Sequence, residues 1–270
     1  MQFFKNIFDF YINSSLHVAL AVFAFIQITS LQLNISYNFH VAAFGFFGTI
    51  AGYNFVKFDN LVRIKKIERS KSLNLIIFLS FSSFIIAAYH FLYLKIPTKC
   101  IAFFALLVII LYTLPVFPKK QNIRNFSTIK IFFVSFAWAV VTFIMPVVNS
   151  ELEFMAPQFL KFLQRFLLTL ILLLIFEIID LKQDDKKLKT IPQLLGVEST
   201  KKVSYILILA FIILEFINPF SNQRQQIILL IIALLLLLFT FFVHSNRSRY
   251  YSRFWVEAIP IFWWFLLWIF

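Results

Sequence analysis

Long runs of apolar residues alternate along the chain with short segments in which lysine and arginine collect. The runs are continuous and lack the every-second-residue alternation of a barrel strand, so they predict helices. Several approach the ~20 residues that a helix needs to cross a bilayer. The pattern predicts about nine spans, near 14–33, 37–56, 73–94, 98–117, 127–148, 158–180, 203–219, 225–244 and 254–270. The last is short, and its Trp263, Trp264 and Trp268 predict a place at the membrane interface. Asn13, Ser14 and Ser15 stand before the first run as a candidate N-cap. The expected fold class is all-α: a polytopic membrane bundle around a central cavity, forming one integral domain over residues 1–270.

Composition strengthens this picture. The chain is 61% hydrophobic with a mean hydropathy of +0.87, more apolar surface than a soluble domain of 270 residues can use. The net charge of +13 would suit nucleic acid if it were clustered on one face. Instead the basic residues lie in the short segments between runs, where they act as topology signals and contact lipid head groups. With the N-terminus inside and nine alternating spans, twenty Lys and Arg fall on the inner side and five on the outer. The five are Lys95, Lys99, Lys161, Arg165 and Arg224. That asymmetry predicts a cytoplasmic N-terminus, an external C-terminus and residence in a bacterial inner membrane, with membrane lipid and no nucleic acid as partner. The first run lacks a small-residue cleavage site and is expected to stay. The 39 Phe residues read as lipid-facing bulk.

Few constellations carry chemistry. The single Cys100 excludes a Cys-based metal cluster, and no two His have ligand spacing. Only four Gly are present and no phosphate-cradling loop is found, so any phosphate must be held by side chains and metal. The exception is the stretch that ends the sixth run. Glu177, Asp180 and Asp184 are spaced i, i+3, i+7 and share a face if the helix continues through them. Carboxylates near a helix C-terminus oppose its dipole, and carboxylates at membrane depth point by default to function. Mg2+ prefers one or two protein carboxylates plus substrate phosphate oxygens, and nearby lysines serve as point charges on phosphate. Two readings stand open from the residues alone: a solvated loop of mixed charge, or a site for a diphosphate attached to a lipid chain.

Glu177-x-x-Asp180-x-x-x-Asp184, followed by Thr190-Ile-Pro-Gln-Leu-Leu-Gly196, resembles the second aspartate-rich motif of the UbiA superfamily of intramembrane prenyltransferases. Tyr112-Thr-Leu-Pro115, with Lys119 and Lys120 after it, and Ala137-Trp138 and Pro146 in the next span are looser matches. The resemblance implies Mg2+, an isoprenoid diphosphate as donor and an acceptor, often aromatic, that attacks the allylic cation. Carried over, it implies Asp180, Asp184 and Lys182 as catalytic residues and Glu177, Asp180 and Asp184 as metal ligands. Asn54, Lys57, Asp59, Lys119, Lys120 and Lys186 are the substrate-binding candidates.

The chain departs from the family at Leu188, where Gly is usual, and at Thr190, which comes one residue early. The first aspartate-rich motif is also altered: Phe55, Phe58 and Val62 occupy its acidic positions, and Asp59 is one residue out of register. These departures keep an alternative open, a catalytically impaired member that binds a lipid or isoprenoid or partners another membrane enzyme. A transporter using Glu215 and Glu257 as a proton path is a third reading. Against it, no paired Gly- or Pro-broken half-sequences are seen, and Glu215 is expected to have a structural partner.

Overall fold

The computed structural model describes residues 2–64, 70–114, 129–185 and 188–270, with the backbone alone for residues 2–3 and 59–64. The described chain is helical, with no strand among the described residues. The helices are α1 (Gln2–Asn13), α2 (Leu16–Leu33), α3 (Phe39–Ile64), α4 (Lys71–Leu92) and α5 (Ile96–Thr113). Then come α6 (Ile129–Ala139), a π-helical turn (Val140–Ile144), α7 (Met145–Asn149) and α8 (Ala156–Asp180). The last part holds α9 (Ile191–Leu195), α10 (Val197–Phe216), α11 (Gln223–Phe242), a second π-helical turn (Tyr251–Val256) and α12 (Ile259–Ile269).

Helix starts follow local chemistry. Ser70 Oγ accepts from Leu73 N ahead of α4, and Asn222 Oδ1 accepts from Gln225 N ahead of α11. Proline stands in the first turn of α5, α8, α9 and α12, where its missing N–H costs nothing. The first π turn has a similar origin. Pro146 has no N–H to give the Thr142 carbonyl, and that carbonyl accepts the Thr29 hydroxyl of α2 at 2.8 Å instead. The result is a bond between spans deep in the bundle.

Among the described residues, seven helices are long and apolar enough to cross a membrane: α2, most of α3, α4, α5, the α6–α7 unit, α8 and α11. The expected seventh span is α10, 20 residues long, whose opening turns carry Glu198, Lys201 and Lys202. The expected ninth is the 11-residue α12 behind its π turn. The spans form a closed arrangement. α2 packs on α3, α3 on α4 and α5, α6 on α8, α8 on α10, α10 on α11, and α12 on both α11 and α2. Small residues allow the α2–α3 approach: Ala19, Ala21, Ala24, Ala42 and Ala43 are buried, and a Cβ on Gly45 would meet Ile26 Cδ1 at 2.4 Å. α8 is the most enclosed of the seven.

Three expectations change. Trp263 is not interfacial: it is buried against Phe211, and of the three only Trp268 is well exposed. Lys161 and Arg165 are not outer-segment charges. Both are buried in α8, since that helix begins at Ala156 and its first turns are covered by α10. Ser15 does not cap α2 with its side chain. It adopts left-handed backbone (φ 63°) at the corner between α1 and α2, and its hydroxyl donates to Asn54 Oδ1 at 2.7 Å. α1 itself was not among the expected elements. It places Phe8 against Tyr250 and Phe254 near the last span.

Candidate functional site

Leu, Ile and Phe carry α8 through the apolar layer, and Asp180 ends it. The Asp180 carbonyl accepts from both Gln183 N (2.8 Å) and Asp184 N (3.0 Å). The span ends at residue 180, as expected, so the helix does not continue to Asp184: two donors converge on one carbonyl and the chain turns. Asp184 is folded back until its carboxylate lies within electrostatic range of Asp180. Neither carboxylate has a hydrogen bond or ion pair to another described residue. Lys182 is exposed in the intervening turn.

Glu177 is used differently. Its carboxylate is buried, 3.1 Å from Lys130 Nζ of α6, and accepts from Ile191 N at 3.2 Å. It therefore ties the Thr190–Gly196 segment and α6 to the end of α8. Gln193 completes the segment: its Oε1 accepts from Thr190 N and its Nε2 donates to the Asp185 carbonyl. Among the described residues, no three His, Cys, Asp or Glu side chains converge on a cation position. Of the three expected carboxylates, Glu177 is engaged by Lys130 and Ile191, and Asp180 and Asp184 are left open among the described residues. That donor set fits Mg2+, which takes one or two protein carboxylates and completes its octahedron with substrate oxygens and water.

The α3 wall also differs from expectation. Asn54 is buried, and its Nδ2 donates to the Ser14 carbonyl (3.0 Å) and Ser80 Oγ (2.8 Å) while its Oδ1 accepts from Ser15. Both donors are spent on protein partners, which fixes the α1–α2 corner to α3 and α4. Lys57 Nζ donates to the Asn13 carbonyl at 2.8 Å and lies over the Phe58 ring. The side chain of Asp59, and Lys119, Lys120 and Lys186 entirely, lie outside the described residues.

Two groups were missed by the sequence reading as site residues. Lys130 was counted only as an inner-side charge. Arg253, also counted only so, sits on the π turn before α12 and acts electrostatically on Asp180, Lys57 and Glu257. Arg249 and Lys130 also act on Asp180. Sequence position gave one signal for Arg253, a cation at the rim of a span after Arg247 and Arg249. Its nearness to Asp180 depends on the π turn packing on α8. Tyr53 adds to the interior beside α6: its hydroxyl accepts from Trp138 Nε1 at 2.8 Å.

No protein-family model and no curated protein sequence matches the chain. Solved structures do match over nearly its full length. An apo UbiA homologue from Aeropyrum pernix K1 superposes with a TM-score of 0.69 at 14% identity, covering 92% of this chain and 96% of the other. A UbiA homologue from Archaeoglobus fulgidus bound to GPP and Mg2+ gives 0.67 at 12%, covering 96% and 98%. A structure concerned with digeranylgeranylglyceryl phosphate synthase in membranes gives 0.59 at 15%, covering 97% of each chain. The likeness at these identities is one of fold, and the chain has the fold of the UbiA homologues.

Proposed function

We propose that this chain, proceeding from that fold, is an intramembrane prenyltransferase of the UbiA type that moves an isoprenoid group from its diphosphate to an acceptor. The observation that carries the reading is the pair of open carboxylates, Asp180 and Asp184, at the end of the most enclosed span. They occur in a fold whose Archaeoglobus fulgidus example is bound to GPP and Mg2+. Asp180 and Asp184 would hold Mg2+, whose charge would offset that of a diphosphate leaving group. Lys57, Lys182, Lys186, Lys119 and Lys120 would meet the diphosphate oxygens, and the Glu177–Lys130 pair would keep the carboxylate end of α8 in place. The apolar spans would exclude water from the allylic cation. The acceptor nucleophile bonds to the carbon that diphosphate leaves, diphosphate departs with the electron pair of the broken C–O bond, and the acceptor gives up the displaced proton to water or to the departing diphosphate. By charge asymmetry the site faces the cytoplasm.

The test is incubation of purified protein with labelled isoprenoid diphosphate, Mg2+ and a panel of aromatic acceptors, beside Asp180→Ala. The reading predicts acceptor prenylation by the parent and none by the variant. Equal inactivity, with no diphosphate binding by either, sinks it.

A second reading has its own observation. Phe55, Phe58 and Val62 leave those three positions of α3 without a carboxylate, and Asn54 is committed to protein partners. A non-catalytic binder of isoprenoid diphosphate would show Mg2+-dependent binding without turnover. The transporter reading loses support, because Glu215 is paired with Lys161 at 2.7 Å and is not a free proton carrier.

A further inference from the structure

Another charged feature lies at the end of α11, at the perimeter of the bundle. The face of α11 that the bundle buries holds Leu229, Ile232, Leu236 and Thr240. Leu235, Leu238, Phe239 and Phe242 follow the i, i+3, i+4, i+7 spacing of a different face. Leu238 and Phe242 are exposed there. Tyr251, from the π turn, stands against that face. Its ring meets Phe239 edge-on with centroids 5.4 Å apart, and its hydroxyl donates to the Phe239 carbonyl at 2.8 Å. These residues enclose a groove of about 460 Å3, within the ordinary size of a ligand pocket. Its walls are Leu, Phe and Tyr, and Arg247 is its one charged lining residue.

Arg247 is held in place at the Phe242 end of the groove. Its Nε donates to the Phe242 carbonyl at 3.1 Å, and its guanidinium carbon lies 5.4 Å from the centre of the Tyr251 ring. The last carbonyls of a helix attract a cation, which accounts for the Nε bond alone. The two Nη groups have no partner among the described residues. Lys201 Nζ comes to the neighbouring Phe241 carbonyl at 3.3 Å, with Glu198 3.5 Å from it, so a second cation stands at the same helix end. An apolar slot along a membrane span thus leads to an unspent guanidinium where the span ends. A guanidinium fork matches phosphate oxygens, and basic pockets between transmembrane segments take anionic lipid head groups. We infer that this groove binds one anionic phospholipid of the surrounding membrane, with an acyl chain along Leu235, Leu238, Phe239 and Phe242 and the phosphate on the Nη groups of Arg247. The site uses none of the residues assigned to the diphosphate and stands independently of that reading.

The test is native mass spectrometry of the purified full-length chain in detergent, with phosphatidylglycerol or phosphatidylcholine of the same acyl chains added. The parent is expected to retain one phosphatidylglycerol about fivefold more tightly than phosphatidylcholine, the preference that one basic residue gives an anionic lipid. Equal retention of the two overturns the inference and leaves only general solvation by lipid. This comparison uses the unaltered protein and needs no variant to fold. Arg247→Gln is expected to weaken phosphatidylglycerol retention about tenfold and to abolish the preference, with Arg247→Lys recovering part of both. Lys71→Gln, at the start of α4, removes a basic residue elsewhere and is expected to change neither. Unchanged retention in Arg247→Gln, or an equal loss in Lys71→Gln, overturns the inference. Excess inorganic phosphate is expected to leave the lipid in place. Displacement by phosphate alone would assign the guanidinium to a free anion and overturn the lipid site.

Discussion

The two ends of α8 treat charge in opposite ways. Near its start, Lys161 Nζ sits 2.7 Å from both Glu215 oxygens and 3.2 Å from Gln225 Oε1. Gln164 and Ser221 also donate to Glu215, so that buried carboxylate is fully engaged. One turn on, Arg165 donates to the Phe25 carbonyl at 2.9 Å with its guanidinium 4.1 Å from the Phe25 ring centroid. At the other end, Asp180 and Asp184 stand together without a short-range partner among the described residues. A charge that a fold encloses and satisfies is there to join helices. A charge it gathers with a like charge and leaves open is costly unless a ligand completes it.

The largest effect is expected at the satisfied end. Lys161→Ala leaves the Glu215 carboxylate buried without its cation, a loss of about 3–5 kcal/mol. It should appear as a sharply lowered melting temperature in detergent or as loss of folded protein. The paired replacement Lys161→Met with Glu215→Leu should recover most of it, because no charge is then left alone. A single variant as stable as the parent would erase the contrast between the two ends.

At the open end the opposite signature is expected. Asp180→Asn preserves shape and relieves repulsion from Asp184, so melting should hold or rise slightly. Mg2+-dependent binding of an isoprenoid diphosphate should fall about a hundredfold, close to ~2.7 kcal/mol at 1.36 kcal/mol per decade. Calorimetry with and without Mg2+ measures it. Destabilisation without any loss of binding would assign Asp180 to structure.

Asn54→Ala sharpens the comparison on a neutral group. It removes three hydrogen bonds at the α1–α2 corner, and a loss of about 1–2 kcal/mol is expected, since such bonds inside membranes are individually weak. Diphosphate affinity should stay close to that of the parent. A selective loss of affinity with unchanged melting would return Asn54 to the site. The smallest effect belongs to Lys130→Met. Glu177 keeps its bond from Ile191 N, so binding should weaken only about threefold, or ~0.6 kcal/mol. A loss as large as that of Asp180→Asn would make Lys130 a direct contact.

The helical class was legible because apolar runs of span length admit few alternatives in lipid. The acidic stretch was legible because carboxylates at the end of such a run oppose both solvation and the helix dipole. Its internal geometry was not. The i, i+3, i+7 spacing placed three carboxylates on one face. The helix instead ends at Asp180, and Glu177 turns to Lys130 and Ile191. The charge count read Lys161 and Arg165 as outer-side signals, because a basic residue beside a span looks alike in sequence whether solvent or a neighbouring helix receives it.

What the sequence determined by itself is therefore the class of fold, the rhythm of its spans and the stretch that carries Asp180 and Asp184. These follow from local hydrophobicity and spacing, which act over one or two helical turns. Only the tertiary structure decided which charges are spent and which stay open. The Lys161–Glu215 pair joins residues 54 apart in sequence, and the clamp of His17 on the Phe254 carbonyl joins residues 237 apart. Arg253 reaches the field of Asp180 because the π turn that carries it packs on α8. No local pattern encodes such meetings, because they arise from the packing of whole helices.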